Sequence, residues 1–255
     1  MTTNTTAPPW HFGTKHANST QEWLPTDTKE NFQQLMQDPK HQQYFSSKGW
    51  DQPGAITYKI NSHGFRSEEF DPAAPSLVSL GCSYTIGVGL PEDATWPHLV
   101  SQTAGLKNYN LAWAGTSADT CFMQARYWLP VLRPQLVVMA TPPKHRFDLI
   151  SEAPNLLHDT YMSSGGSSES YSDTFVKTWL LNDRNAELNA ARNQLAVQGL
   201  CVSLGITCLI YNAHDWFAKS REEIEYARDH MHAGPRGHQL LAERIIHDWH
   251  ETKTA

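Results

Sequence analysis

The sequence is poor in cysteine and has no long apolar run. Its 255 residues include four cysteines with no metal-type or disulfide-type spacing, Cys82, Cys121, Cys201 and Cys208. We therefore expect reduced, mostly buried thiols in a cytoplasmic protein. No apolar stretch approaches the roughly 20 residues of a membrane-spanning helix, and the N-terminus lacks the basic-then-apolar order of a signal peptide. We expect no membrane span.

An excess of basic residues is also absent. Twenty Lys and Arg residues stand against 26 Asp and Glu residues, for a formal net charge of −6. This balance argues against a nucleic-acid partner and against anchoring on anionic lipid. The 40% of hydrophobic residues indicates a globular protein, and the length suits one domain with a small extension. The sequence indicates no particular oligomeric state.

Apolar runs alternate with amphipathic segments through residues 56–255. Strands are predicted over 77–80, 109–112, 136–140 and 205–211, and helices over 93–103, 117–132, 175–198 and 235–249. Such alternation predicts a parallel sheet covered by helices on both faces, an α/β fold.

Two segments depart from this alternation. Residues 1–55 are polar and irregular apart from a predicted helix over 28–37, and we interpret them as an extension whose tryptophans, Trp10, Trp23 and Trp50, pack on the core. Residues 150–174 contain a Ser/Gly-rich run over 163–168 and predict an insertion, either a lid or a solvated loop. Before the first central strand, Arg66 is expected to pair with a carboxylate or with carbonyls rather than with a substrate.

A strand exit carries the first candidate catalytic residue. The apolar run 77–80 ends at Gly81, and Ser83 follows two residues later. Glycine permits a sharp turn because it has no Cβ, and strand ends are where α/β proteins place their chemistry. Taken alone, the pattern fits an ordinary turn better than a nucleophile.

An acid–base pair precedes the last predicted helix. Asp229 stands three residues before His232, close enough for its carboxylate to bind the Nδ1 proton and leave Nε2 free to accept a serine proton. Ser83, Asp229 and His232 therefore form a candidate catalytic triad. Cys82 is an alternative nucleophile, although the neighbour of Ser83 should point elsewhere. The histidines near position 232 lack zinc-type spacing, so we expect no metal.

Three short motifs resemble those of the SGNH hydrolases, the GDSL-like esterase and lipase superfamily. Gly81-Cys82-Ser83-Tyr84 stands where that family has Gly-Asp-Ser-Leu, and the segment from Asn110 to Gly115 resembles its second block. Asp229-His230-Met231-His232 fits its Asp-x-x-His block. The resemblance covers roughly residues 55–250. It implies a flavodoxin-like three-layer α/β/α fold and a serine mechanism without metal or cofactor.

The resemblance also implies a role for each residue. Ser83 would attack an ester carbonyl, with His232 as general base and then acid, and Asp229 would orient His232. Backbone N–H groups of Ser83 and Gly115 would form the oxyanion hole. The implied substrate is a small ester or an acylated carbohydrate.

The third block of the family, Gly-x-Asn-Asp, is missing. The strand over 136–140 is followed by Thr141-Pro142-Pro143-Lys144-His145-Arg146, with no asparagine to serve as the third oxyanion donor. Loss of one such donor lowers rates by about 10²–10³ in other enzymes. Lys144, His145 or Arg146 could replace it, with His145 or Arg146 lining the site, and Asn212, which follows the last strand, could contact substrate.

Three functions therefore remain open at the level of sequence. The first is a carboxylester hydrolase, with O-acetyl groups on carbohydrate as one substrate class suggested by family habit and tryptophan content. The second is a non-catalytic SGNH-like module that binds glycan or packs into an assembly, which the missing asparagine favours. The third is an acyltransferase that uses the same triad.

Overall fold

A four-stranded parallel sheet forms the centre of the computed structural model, which describes residues 12–150, 158–161, 182–213, 216–217 and 225–254. The strands include β1 (Ser19–Gln21), β2 (Tyr58–Ile60), β3 (Ser76–Leu80), β4 (Lys107–Asn110), β5 (Leu136–Thr141), β6 (Phe147–Ile150), β7 (His158–Tyr161) and β8 (Thr207–Asn212). The helices include α1 (Lys29–Leu35), α2 (Pro39–Lys48), α3 (Ser83–Ile86), α4 (Trp96–Ala104), α5 (Ala118–Leu132), α6 (Asp183–Leu204) and α7 (Pro235–Thr254).

The central sheet has the strand order β4-β3-β5-β8, and every pair in it is parallel. Alternate residues of β3 and β5 face opposite layers, as the two-residue period of a strand requires. Val78 and Val137 pack in one cluster with α5 and α6, whereas Leu77 and Leu136 pack in another with α4 and α7. The predicted α/β class with helices on both faces is confirmed.

Some predicted bounds of strands and helices were wrong. The strand predicted over 109–112 is β4, which begins at Lys107 because Lys107 pairs with Ser76 of β3. The last helix continues past residue 249 to Thr254. Helix α6 begins at Asp183, and the earlier start predicted for it lies outside the described residues.

The predicted N-terminal extension contacts the core over a third apolar cluster. β1 pairs antiparallel with β2, and the buried side chains of Phe45 and Trp50 pack with Tyr58. Trp23 lies beside Phe32 of α1, while Trp10 is outside the described residues. Helix α2 was not predicted, because its mostly polar sequence buries only Phe45. The division of the chain at residue 55 remains a prediction.

The predicted insertion over 150–174 is described only in part. β6 and β7 pair antiparallel and occupy its beginning, and the Ser/Gly-rich run over 163–168 lies outside the described residues. Whether the run acts as a lid stays a prediction. Within the described ranges, no helix is long and apolar enough to cross a membrane. The four cysteines are free thiols and three of them are buried, as expected.

A buried histidine joins the two helices on one face of the sheet. Nδ1 of His238, on α7, accepts the backbone N–H of Trp96 at 3.0 Å, one of the donors left open at the start of α4. Burial, with repulsion from His232 and Arg66, lowers the pKa of His238 to about 3. His238 is therefore neutral and acts here as a hydrogen-bond acceptor.

This arrangement predicts a loss of stability in mild acid. The unfolded chain protonates His238 near its ordinary pKa of 6.5, whereas the folded chain does so only near 3. Between those values the unfolded state binds more protons, so the free energy of unfolding should fall by about 1.4 kcal/mol per pH unit from this residue. Urea unfolding between pH 7 and 5 measures it.

His238→Gln should flatten that pH dependence, because glutamine accepts the Trp96 N–H without titrating. His247→Gln, on the exposed side of the same helix, is the matched control and should leave the slope unchanged. Equal slopes in the wild type and His238→Gln would contradict the prediction.

Candidate active site

Ser83 lies at the C-terminal edge of the sheet, where β3 turns into α3. The turn needs glycine at position 81, since a Cβ there would lie 2.1 Å from Thr85 Oγ1 and 2.8 Å from the Ala140 carbonyl oxygen. As the first residue of α3, Ser83 has a backbone N–H with no carbonyl one turn earlier in the helix. That N–H is free for a ligand by the geometry of a helix start.

Arg66 fixes the loop that follows Ser83. Its guanidinium is fully buried and donates to the carbonyls of Ile86, Gly87 and Leu90 at 2.8–3.0 Å, and to that of Thr57 at 3.1 Å. The structural role predicted for Arg66 is confirmed. Three carbonyls of this loop bound to one buried cation leave it little freedom to move.

Asp229 and His232 are in direct contact. Asp229 Oδ2 lies 2.6 Å from His232 Nδ1, and both residues are buried. Asp229 Oδ1 accepts the backbone N–H groups of Met231 and His232 at 3.0 and 3.1 Å. These bonds close a tight turn that holds the carboxylate against the imidazole edge, which leaves Nε2 as the free ring nitrogen.

The electrostatics keep this carboxyl ionised. Burial of Asp229 opposes its ionisation, but the hydrogen bond and charge of His232, with hydrogen bonds from Thr26 and Met231, outweigh burial and lower its pKa. A carboxylate at that position favours the proton on Nδ1 of His232. The pair is therefore arranged for His232 to receive a proton at Nε2.

Tyr84 links the pair to the nucleophile turn. Its ring lies edge-on to the His232 ring, with centroids 4.9 Å apart, and stacks on Phe217 at 5.0 Å. Tyr84 is the next residue after Ser83, and no contact between Ser83 and His232 is among those described, so the candidate triad remains a prediction. Cys82 is buried, with its Sγ 4.0 Å from Ser83 Oγ.

The loop that carries Gly115 is tied to the same turn. The Thr116 hydroxyl lies 3.1 Å from the Gly81 carbonyl and 2.8 Å from the Trp113 carbonyl, which share its single proton. Asn110 Nδ2 donates to the Thr85 carbonyl at 2.9 Å. Gly115 has a φ of +82°, with open space on the side where a Cβ would stand. This left-handed conformation favours glycine, and the open space leaves room for a ligand beside the loop.

The strand end that lacks the asparagine offers no substitute at the same position. Thr141 Oγ1 donates to the Tyr211 carbonyl at 3.1 Å, and the two prolines that follow have no N–H. His145 Nε2 lies 2.7 Å from Asp183 on α6. Among the described contacts, none joins His145 or Arg146 to Ser83 or His232.

Arg146 instead supports the Gly115 loop. Its Nη1 donates to the Thr116 carbonyl at 3.3 Å, and its buried Nε has no hydrogen-bond partner among the described residues. Next to it, the buried Asp148 carboxylate accepts from Ser117 Oγ at 2.7 Å and from the Thr120 N–H at 3.0 Å. The loop is thus held at the start of α5 from two sides.

Two cavities flank this edge of the sheet. A cavity of about 670 Å³ lies between the N-terminal extension and the Gly115 loop, and its lining includes Trp23, Trp113, Ala114, Lys15 and Lys29. A second, of about 650 Å³, includes His145, Asn212, Thr141 and Lys144. His145 and Asn212 therefore share a cavity, whereas Arg146 does not line it, and their role as substrate contacts stays a prediction. No cluster of potential metal ligands occurs among the described residues.

Sequence reasoning missed the residues that hold Asp229 from outside its own loop. Thr26 and Asp27, both in the N-terminal extension, contact Asp229 and Arg228, respectively. These positions carry no periodicity or motif, and their partners lie 203 and 201 positions away in sequence. Only the folded structure reveals them.

We expect Arg146→Ala to slow the reaction of Ser83 with an active-site probe by about tenfold, because it releases the Thr116 carbonyl from a charged donor. His145→Ala should have the smaller effect, since the Asp183 partner of His145 is 72% exposed and the pair is screened by water. Stopped-flow labelling rates measure both. A larger effect at His145, or none at either position, would contradict this assignment.

Comparisons with known proteins point to one group of folds. A lipolytic protein of the G-D-S-L family from Desulfitobacterium hafniense DCB-2 matches 68% of this chain and 98% of its own, with 12% identity and a TM-score of 0.43. TesA matches 67% of this chain and 95% of its own, with 12% identity and a TM-score of 0.42.

A carbohydrate esterase, whose active site displays divergent catalytic and non-catalytic binding functions, covers 69% of this chain and 65% of its own, with 11% identity and a TM-score of 0.44. No protein-family model and no curated protein matches the sequence. In fold, the chain is similar to these solved structures.

Proposed function

We propose that the protein is a serine hydrolase that cleaves carboxylic esters through Ser83, His232 and Asp229. The observation that carries the proposal is the 2.6 Å contact between the Asp229 carboxylate and His232 Nδ1, buried next to the residue that follows Ser83. A buried aspartate that fixes a histidine tautomer prepares that histidine to accept a proton from a serine hydroxyl during attack on a carbonyl.

The chemistry proceeds in two halves. Ser83 Oγ bonds to the ester carbonyl carbon as its proton passes to His232 Nε2, and the tetrahedral intermediate collapses when His232 returns that proton to the leaving alcohol oxygen. Water then attacks the acyl group with His232 again as base. The acid leaves, and the proton returns to Ser83.

Two backbone donors stabilise the oxyanion in this proposal, the N–H groups of Ser83 and Gly115. Thr116 holds the two turns together through the Gly81 carbonyl, so the donors are fixed before substrate arrives. Without an asparagine at the end of β5, the hole has one donor fewer than the family pattern. We expect slow turnover of unactivated esters and faster turnover of aryl esters, whose leaving groups need less help.

The substrate proposal rests on the cavity beside the Gly115 loop. Its volume of about 670 Å³ is that of a site for a small organic ligand. Indole rings of Trp23 and Trp113 line it together with two lysines. Tryptophans and lysines suit an acylated sugar, and in this proposal the acyl group reacts at Ser83 while the sugar occupies the cavity.

A fluorophosphonate probe tests the proposal. The wild type should be labelled on the peptide that contains Ser83, Ser83→Ala should not react, and His232→Ala should react at least about 10³-fold more slowly. Cys82→Ala is the matched control for the neighbouring thiol and should label at nearly the wild-type rate. An O-acetylated oligosaccharide should slow labelling by competition and should release acetate.

Two results would overturn the proposal that the protein is a serine esterase. A wild type that neither labels nor hydrolyses aryl acetates would favour the non-catalytic binding module, which the absent asparagine also favours. Transfer of the acyl group to added alcohols or sugars in preference to water would identify an acyltransferase with the same triad.

A further inference from the structure

The N-terminal extension holds the loop that carries the acid–base pair. Asp27 forms a two-pronged ion pair with Arg228, with distances of 2.9 Å to Nε and 2.7 Å to Nη2, and both side chains are buried. The Arg228 guanidinium also lies over the Trp23 ring, 4.3 Å from its centroid. Arg228 immediately precedes Asp229, so the ion pair fixes the backbone from which the Asp229 side chain extends.

A second contact reaches the carboxylate itself. Thr26 Oγ1 donates to Asp229 Oδ2 at 2.6 Å, the same oxygen that binds His232 Nδ1. With the two N–H groups on Oδ1, from Met231 and His232, the carboxylate accepts four hydrogen bonds. A carboxylate has about four acceptor positions, so Thr26 fills the last of them.

The backbone at Thr26 is strained in a way that serves this contact. Its φ is +74°, a left-handed conformation that β-branched residues rarely adopt. Asn31 Nδ2 stabilises the turn by donating to the Thr26 carbonyl at 2.9 Å and to the Asp229 carbonyl at 3.1 Å. Glycine or asparagine would fit that backbone with less strain, but neither carries a hydroxyl. Strain retained at such a position points to a role for the side chain.

We propose that Thr26 is a positioning residue for the Asp229–His232 pair, so that the N-terminal extension completes the active site. The inference rests on the proposed function, because it assigns Thr26 an effect on the reactivity of Ser83 through His232. The SGNH-like motifs begin only near residue 55, so nothing in their pattern implies this contact.

The physical effect follows from the shared oxygen. The Thr26 hydroxyl draws negative charge from Oδ2 and prevents the carboxylate from rotating about its bond to Cβ. Without this donor, Oδ2 binds the Nδ1 proton of His232 more strongly, and the imidazolium form gains stability. The carboxylate also becomes freer to turn away from the ring, which slows proton transfer.

Besides Asp229, titratable residues on two other described elements lie near His232 or interact with it. Tyr84, on α3, presents its ring to the imidazole, and His238, on α7, interacts with it electrostatically from a buried site. His238 stays neutral down to about pH 3. Asp229 is therefore the group through which a change at Thr26 reaches His232 at neutral pH.

The test compares Thr26→Val with Thr26→Ser in the full-length chain. Valine keeps the shape and β-branching of threonine without the hydroxyl, whereas serine keeps the hydroxyl. We expect valine to slow fluorophosphonate labelling of Ser83 by about tenfold and to move the acid limb of the rate profile up by about half a pH unit. Serine should restore both to near wild-type values.

Tyr44→Phe is the control for a purely structural role. It removes a hydrogen bond from the N-terminal extension to the Tyr226 carbonyl and touches neither Thr26 nor Asp229, so it should lower the melting temperature without moving the acid limb. The proposal would be overturned if the labelling rate of Thr26→Val had the same pH dependence as that of the wild type. It would also be overturned if both Thr26 variants and the control had the same pH dependence.

A second readout keeps this test separate from the proposed function. The nitrogen chemical shifts of His232, assigned by their loss in His232→Gln, report its protonation without any reaction at Ser83. An upward shift of the His232 titration in Thr26→Val together with an inert Ser83 would support the contact and reject the hydrolase. An unmoved titration in a reactive enzyme would support the hydrolase and reject the role of Thr26.

Discussion

The buried carboxylate of Asp229 is the constraint on which the candidate site depends. An ionised carboxylate is costly to bury unless every acceptor position is filled. Here the donors come from its own turn, from the imidazole it orients and from a threonine in the N-terminal extension. Because these donors belong to separate segments, the charge is stable only when the segments are assembled, and assembly fixes the histidine.

The parallel sheet gathers the remaining groups at one edge. The ends of β3 and β4 deliver Ser83 and the Gly115 loop, and Thr116 and Asn110 tie the two turns together. The end of β5 differs, since its threonine binds the neighbouring strand. Arg146, which follows β5, donates to the Thr116 carbonyl in the Gly115 loop. The fold thus places the Ser83 turn and the Gly115 loop at one edge of the sheet, where the end of β5 makes contacts of its own.

Much of this arrangement is predictable from sequence because it depends on local patterns. Apolar runs identify β3, β5 and β8, whereas β4 is mostly polar and was predicted two residues too late. The spacing from Asp229 to His232 predicts their contact. The contacts of Thr26 and Asp27 follow no such pattern. Thr26 reaches a partner 203 positions away through a single hydroxyl, and Asp27 is one acidic residue among 26 acidic residues. Helix α2 escaped prediction because its polar sequence buries one phenylalanine.

In the proposed mechanism, Ser83 Oγ forms a covalent acyl-enzyme intermediate. Trapping that intermediate tests the mechanism most directly. The protein is mixed with an aryl acetate, quenched in acid during turnover, digested and analysed by mass spectrometry. We predict one acetyl group on the peptide that carries Ser83, mapped to the serine oxygen and absent from Ser83→Ala. Steady hydrolysis with no acetylated peptide, or an acetyl group on Cys82, would contradict the account.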